Sequence, residues 1–362
     1  MLIEFDNTVA LVKPADEAEL EMYCQVRDAI KCDAPGARYM YQHKLWLRTR
    51  GKSGWDGKTS ILSKPGPRNH TAFFPTGLLP MVYHRLTKLT GPSWIHLNDH
   101  RLNPGVLPGN YTVPLRDYQH ECFLKSVGNY INMGKWRYYW PCGVIQVATG
   151  GGKTEIAIAI YQAIPVPTMF IAHRRHLVTQ ARERFAKYGI ETGQIGDGKF
   201  DPHPRGVTVA TVQTIDKIFK DGDTDKIKQF SGAQQIFFDE AHLAASKIDK
   251  GNQLVMLARQ FKAAYYRWAL TATPFLKDEY SNQLLMGCTG DLLCKITNDQ
   301  LIQSGHLTPP KVVILTAPAV KGPRTYPEVY DSAIVLNTPR NQMIIDELTT
   351  CPKPAIVTND PV

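Results

Sequence analysis

No stretch of the 362-residue chain approaches the roughly 18 consecutive apolar residues of a membrane-spanning helix. Its opening, MLIEFDNTVA, sets Glu4 and Asp6 where an export signal carries positive charge. A soluble, unexported, cytoplasmic protein is therefore expected. Cysteine is sparse: the seven residues at 24, 32, 122, 142, 288, 294 and 351 are odd in number and contain no CxxC pair. That pattern argues against both a disulfide framework and a zinc site. Internal repeats and low-complexity runs are lacking, which removes solenoids and linker-like tails. With 43% hydrophobic and 21% charged residues, the chain is neither disordered nor fibrous.

Acid is nearly missing from one region. Between Arg38 and Arg101 eleven basic residues (38, 44, 48, 50, 52, 58, 64, 68, 85, 88 and 101) face only Asp56 and Asp99, and this segment accounts for the whole net charge of +9. Such a surface is either a solvated basic face or the footprint of a polyanion, since Lys and Arg gain affinity by releasing the counterions of phosphates. The aromatics among them (Tyr39, Tyr41, Trp46, Trp55, Phe73, Phe74, Tyr83 and Trp94) are read as core for the most part, with base stacking as the alternative.

Three segments emerge. Residues 1–110 combine a helix over 15–31 with strand-like runs at 43–48 and 57–62, a small α+β domain. From about 112 apolar strands (143–148, 168–172, 206–210, 234–238 and 265–270) alternate with helices near 153–163, 175–187 and 253–263, the signature of a parallel sheet with crossovers. This lobe is taken as 111–315. Residues 316–362, with a helix near 339–350 and the run PAIVTND at 354–360, read as a passage towards another αβ unit, following a strand at 311–315.

VATGGGKT (147–154) stands between an apolar strand and a helix. A glycine-rich turn there lets successive backbone N–H groups face phosphates while the helix N-terminus adds its dipole. Thr149, Gly150, Gly151 and Gly152 form the cradle, Lys153 reaches the β and γ phosphates, and the Thr154 hydroxyl holds Mg²⁺. The match to GxxxxGK[ST] is incomplete, because Val147 occupies the first glycine's position. QQIFFDEAH (234–242) is a buried-type strand ending in two carboxylates, where an open α/β sheet presents its ligand crevice. Asp239 is assigned to the Mg²⁺ shell and Glu240 to orienting and deprotonating the attacking water. An acidic pair after a strand otherwise serves as a helix cap, but behind a phosphate loop the catalytic reading prevails.

DEAH (239–242), the phosphate loop and TATP (271–274) together resemble superfamily 2 helicases and translocases, and the resemblance runs in order over 112–315. It implies an α/β fold, a RecA-like P-loop NTPase lobe with a parallel sheet, preceded here by a small α+β DNA-binding domain. LRDYQ (115–119) resembles the adenine-sensing Q motif, with Gln119 on the adenine edge and Arg116 or a nearby aromatic packed on the ring. IAHRRHLVTQ (171–180) and VATVQT (209–214) resemble the loops that grip a nucleic-acid backbone, making His173, Arg174, Thr211 and Gln213 candidate phosphate contacts, whereas Arg175 and His176 read equally as an exposed helix face. By the same resemblance His242, Thr271 and Thr273 couple the ATP site to those loops. GWDGKTSIL (54–62) and FFPTGLLPMV (73–82) are similar to the N-terminal domain of UvsW-type phage helicases, with Trp55 under a tight turn and Arg48, Arg50, Lys52 and Lys58 as candidate DNA contacts.

What this implies is an ATP- and Mg²⁺-dependent DNA helicase or translocase acting on branched, duplex or single-stranded DNA in recombination, repair or replication, monomeric and without a membrane partner. Phage origin would put it in the host cytoplasm. A duplex-translocating motor of a restriction or repair complex, an RNA helicase, and a nucleic-acid clamp with a vestigial ATP site are the alternatives. Beyond Thr273 the only arginines are Arg324 and Arg340, and no second-lobe arginine motif exists. The chain is therefore expected to be a fragment lacking most of a second lobe, with slow ATP turnover by itself.

Overall fold

The computed structural model describes residues 1–68, 70–244, 253–275, 278–310, 316 and 325–350. Met1–Leu307 forms one compact unit and Thr308–Val362 a second.

The first unit opens with a four-stranded sheet ordered Ala72–Pro75, Val9–Lys13, Leu2–Phe5, His96–Asp99, antiparallel except for the last pair. Ile3, Phe5, Ala10 and Val12 are buried in one cluster with Tyr23 and Val26 of the helix Glu17–Ala29 and with Leu79, Val82 and Leu86 of the helix Leu79–Thr90. The Asp16 carboxylate starts the first of these helices by accepting the Glu19 N–H at 2.8 Å. The run 43–48, expected as a strand, lies in the helix Tyr41–Arg48. Its alternation of His43, Leu45 and Leu47 is incidental, since His43 and Trp46, three residues apart, stack at 6.1 Å as helical spacing requires. Within 57–62 only Lys58–Thr59 is strand.

The segment after residue 111 holds an eight-stranded sheet ordered Lys199–Asp201, Thr192–Gly196, Val207–Thr211, Thr168–Ala172, Gln235–Asp239, Tyr266–Thr271, Cys142–Val147, Leu292–Ile296. Only the first pair is antiparallel. The central strands Thr168–Ala172 and Val207–Thr211 are buried at every position, as a sheet covered by crossover helices on both faces demands. Phe170, Val209, Phe237 and Trp268 enter one core, and Met169, Ala210, Phe238 and Ala269 the other. The expected strands and the helices Lys153–Ala163, Arg175–Lys187 and Gln253–Gln260 are present within a few residues. Thr192–Gly196, Lys199–Asp201 and Leu292–Ile296 are additional to those read from sequence.

The four-stranded and eight-stranded sheets are locked together. The Asn7 amide donates to the Lys262 carbonyl at 3.0 Å and the Gln283 amide to the Ile30 carbonyl at 3.0 Å. Gly77 lies so near the helix Glu279–Thr289 that a Cβ there would stand 2.2 Å from the Met286 carbonyl oxygen. Arg101 completes the joint: it pairs with Asp99 at 2.7 Å, donates to the Tyr139 carbonyl at 3.0 Å, and stacks over Phe5, Trp140 and Tyr265 at 5.4, 4.5 and 5.1 Å. With its side chain only 7% exposed, Arg101 leaves the count of cations open to a polyanion.

In the second unit, helical turns run over Tyr326–Val335 and a helix spans Thr338–Thr350, where one near 339–350 was expected. The strands expected at 311–315 and 354–360, and Arg324, lie outside the described residues.

Candidate active site

The strand Cys142–Val147 delivers the chain into the turn 148–152 and then into the helix Lys153–Ala163, whose residues Ile156 to Ile160 are all buried. Val147, which broke the motif, is itself a buried strand residue. Gly152 has φ +80°, and a Cβ there would lie 2.2 Å from Gln119 Nε2, so only glycine fits. No side chain caps the helix, which leaves its first N–H groups open to an anion. Thr149 and Gly150 are exposed at the rim, and Thr154 is half-buried in the first helical turn.

Three charged groups converge on this turn. Lys153 Nζ lies 3.4 Å from Glu240 Oε1 and 3.5 Å from the Val147 carbonyl. Asp239 ends the strand Gln235–Asp239, and Glu240 follows with φ +46°, a left-handed conformation uncommon outside glycine. Burial pushes the Asp239 carboxyl up to about 6, the neighbouring Glu240 charge adds to the rise, and Lys153 opposes it. A half-buried carboxylate, together with the Thr154 hydroxyl, is a hard-oxygen donor set of the kind Mg²⁺ takes with phosphates and water.

The Q-type segment does more than flank the loop. Gln119 is buried; its Oε1 accepts the Arg116 N–H at 2.8 Å and its Nε2 donates to the Gly151 carbonyl at 3.0 Å. Tyr118 Oη donates to the same carbonyl at 3.0 Å and receives Arg116 Nη1 at 3.1 Å. The segment thus braces the phosphate loop directly. Tyr118 was not singled out from sequence, and only its place inside LRDYQ marks it.

A polar chain leaves the site on the other side. His242 Nδ1 is 3.4 Å from Glu240 Oε2 and 2.8 Å from Thr271 Oγ1. The buried Thr271 hydroxyl accepts the Thr273 N–H at 3.1 Å. Gln146, opposite Thr271 in the register, donates to the Ala272 carbonyl at 3.2 Å. Sequence reasoning passed over Gln146, though a lone amide inside GVIQVA was the signal.

Of the candidate nucleic-acid residues, the structure brings two strand ends together: Gln213, in the first turn of the helix Val212–Asp221, donates Nε2 to the His173 carbonyl at 3.0 Å, and Arg174 beside His173 is exposed. Thr211 is a correction. It is only 4% exposed and its hydroxyl meets that of Thr214 at 2.8 Å, so it fixes the strand-to-helix junction from within and offers no hydroxyl to a phosphate. Arg175 pairs with Asp197 at 3.3 Å. Arg48, Arg50, Lys52 and Lys58 are all exposed. The aromatics divide: Phe74 and Tyr83 are core, Trp46 and Trp55 half-buried, and Tyr39, Tyr41, Phe73 and Trp94 exposed.

Residues 112–276 match the family described as type III restriction enzyme, res subunit. The DNA 3'-5' translocase XPB2 of Sulfurisphaera tokodaii is 28% identical over 190 residues, 52% of this chain, which spans only 37% of that relative's length. In fold the chain is similar to the UvsW helicase of bacteriophage T4, with a TM-score of 0.53 at 16% identity over 81% of this chain and 99% of that one. A second T4 UvsW structure gives 0.52 at 16% identity, covering 81% of this chain and 56% of its own. No helix among the described residues is long and apolar enough to cross a membrane.

Proposed function

We propose that the chain supplies the N-terminal DNA-contacting domain, 1–110, and the first motor lobe, 111–315, of an ATP-dependent DNA translocase that remodels branched or duplex DNA. The observation that carries this reading is the meeting of Lys153, Asp239 and Glu240 at one uncapped glycine loop.

In the proposed reaction the backbone N–H groups of 149–153 and Lys153 bind the β and γ phosphates of ATP. Thr154 and Asp239 would hold Mg²⁺, which supplies charge neutralisation of the phosphate oxygens. Glu240, released by Lys153 once phosphate arrives, orients a water and takes its proton as the water oxygen bonds to the γ phosphorus. The bond from that phosphorus to the β–γ bridging oxygen breaks, ADP and phosphate leave, and the proton passes to solvent. His242, Thr271 and Thr273 carry the change towards the segments at 173–174 and 213, and Arg48, Arg50, Lys52 and Lys58 anchor the DNA through its phosphates.

Motors of this type complete the site with an arginine from a second lobe, worth roughly 10³–10⁵ in rate, so the described lobe alone turns ATP over slowly. The test is ATP turnover with and without single-stranded, duplex and four-way-junction DNA, with Lys153→Ala as the blank. Stimulation by duplex or junction DNA, lost in Lys153→Ala, is expected; DNA binding with no nucleotide binding refutes it. The family description over 112–276 favours a second reading, a motor that pumps duplex without separating its strands. Displacement of a third strand from a triplex, with no unwinding of a fork, would select it.

A further inference from the structure

Residues 34–55 contain no acid and carry Arg38, Lys44, Arg48, Arg50 and Lys52. All five cations are exposed, and none makes an ion pair among the described residues. The helix Tyr41–Arg48 at their centre has no buried residue. A helix of this length does not persist by propensity alone. Here it is held by a loop folded back along one side: Trp55 N donates to the Gln42 carbonyl at 3.1 Å, Gly51 N to the Trp46 carbonyl at 2.9 Å, and Thr49 Oγ1 to the Leu45 carbonyl at 2.9 Å. Trp55 is fixed in turn by its indole N–H on the Lys58 carbonyl at 2.8 Å.

His43, Trp46 and Trp55 serve this small module from its inner side. The outer side keeps Tyr39 at 68% and Tyr41 at 70% exposure, and Arg38 lies 4.8 Å over the Tyr39 ring. Neither ring is needed for the fold, and two tyrosines left in water among unpaired cations match one kind of partner: an anionic chain with free aromatic faces. Duplex DNA has phosphates but buries its base faces by stacking, whereas unpaired nucleotides offer both.

We propose that residues 38–52 bind an unpaired nucleotide stretch, with Tyr39 and Tyr41 stacking on bases and Arg38, Lys44, Arg48, Arg50 and Lys52 on phosphates. The surface selects DNA in which a single-stranded segment adjoins a duplex. This deepens the DNA-motor reading and rests on it for the identity of the nucleic acid.

The test is fluorescence anisotropy of the full chain with a single-stranded oligonucleotide, a blunt duplex and a gapped junction, over a series of salt concentrations. Tyr39→Ala/Tyr41→Ala is expected to weaken single-strand and gapped-junction binding about 10-fold or more, the scale of a base–aromatic stack, with blunt-duplex affinity and every salt slope unchanged. Tyr39→Phe/Tyr41→Phe retains binding. Arg48→Ala/Arg50→Ala/Lys52→Ala flattens the salt slope on all three DNAs. Unchanged single-strand affinity in the double alanine variant, an equal loss on blunt duplex, or parent protein that binds anionic phosphatidylserine vesicles but no single strand, overturns the proposal. Both rings are exposed, so the variants fold. If nucleotide binding is absent while tyrosine-dependent single-strand binding persists, the motor reading fails and this surface stands; the reverse outcome removes the surface alone.

Discussion

Replacing Asp239 by Asn should make the nucleotide-free protein more stable while abolishing its use of Mg·ATP. In the folded chain the carboxyl titrates at about 6, chiefly because it is buried; in the unfolded chain it returns to about 3.9. A native acid with a raised value binds more protons than the unfolded chain between those limits, so stability falls as pH rises from about 4 to about 6 and then levels. Two pKa units correspond to about 3 kcal/mol. Asp239→Asn removes the titrating group and escapes that loss. Thermal unfolding at a series of pH values is the assay. Parent and variant should nearly coincide near pH 4 and separate above pH 6.5, with the variant's midpoint higher by roughly 4–5 °C. At pH 7.5 Mg·ATP should raise the parent's midpoint and leave the variant's unchanged. A gap that is absent, or that does not grow with pH, refutes the account of Asp239 as a desolvated carboxylate awaiting a cation.

Gly152→Ala places a methyl 2.2 Å from Gln119 Nε2 at a φ of +80°, so loss of fluorescent-ATP binding and a destabilisation of about 1–3 kcal/mol are expected; normal binding would show that Gln119 can withdraw from the loop. Arg267, buried, donates to the carbonyls of Ala264, Ala258 and Phe261 at 2.8, 2.8 and 2.6 Å, and Arg267→Ala should cost roughly 3–5 kcal/mol in urea unfolding by orphaning three acceptors. Thr271→Val keeps the shape and removes the hydroxyl shared by His242 and Thr273; ATP affinity should persist while DNA stimulation of turnover falls roughly 2–30-fold, the range of a coupling energy carried by one such contact. Unaltered stimulation would take Thr271 out of the route.

The eight-stranded lobe was legible because its central strands are apolar on both faces and the motifs sit at their ends. TMFIA and QQIFF can be little else between phosphate-loop and acidic motifs. The strand TGQIG at 192–196 was not, because two glycines and a glutamine hide it; it gains its place only by lying parallel to Val207–Thr211. The N-terminal strands are four or five residues long and become a sheet through partners as distant as His96–Asp99. At the site, residue types and order were readable, but directions were not. Gln119 turns towards Gly151 and Thr211 towards Thr214, choices set by neighbours that only the folded chain supplies. Arg101 shows the same limit for charge: a count of basic residues included it, and three aromatic rings removed it from solvent.

In the proposed reaction Glu240 is the residue at which binding and relay meet. Its Oε1 faces Lys153 at 3.4 Å and its Oε2 faces His242 at 3.4 Å, on a backbone whose φ of +46° costs about 1–3 kcal/mol unless its surroundings hold it. A phosphate entering the glycine loop competes for Lys153, and removal of that cation leaves the carboxylate more dependent on His242. The imidazole Nδ1 lies between Glu240 and the Thr271 hydroxyl and can serve only one of them at full strength. A stronger bond to Glu240 therefore weakens the bond to Thr271, whose hydroxyl holds the Thr273 N–H. On the proposed reading, nucleotide occupancy reaches the TATP segment through one shared imidazole nitrogen, with no movement of the sheet.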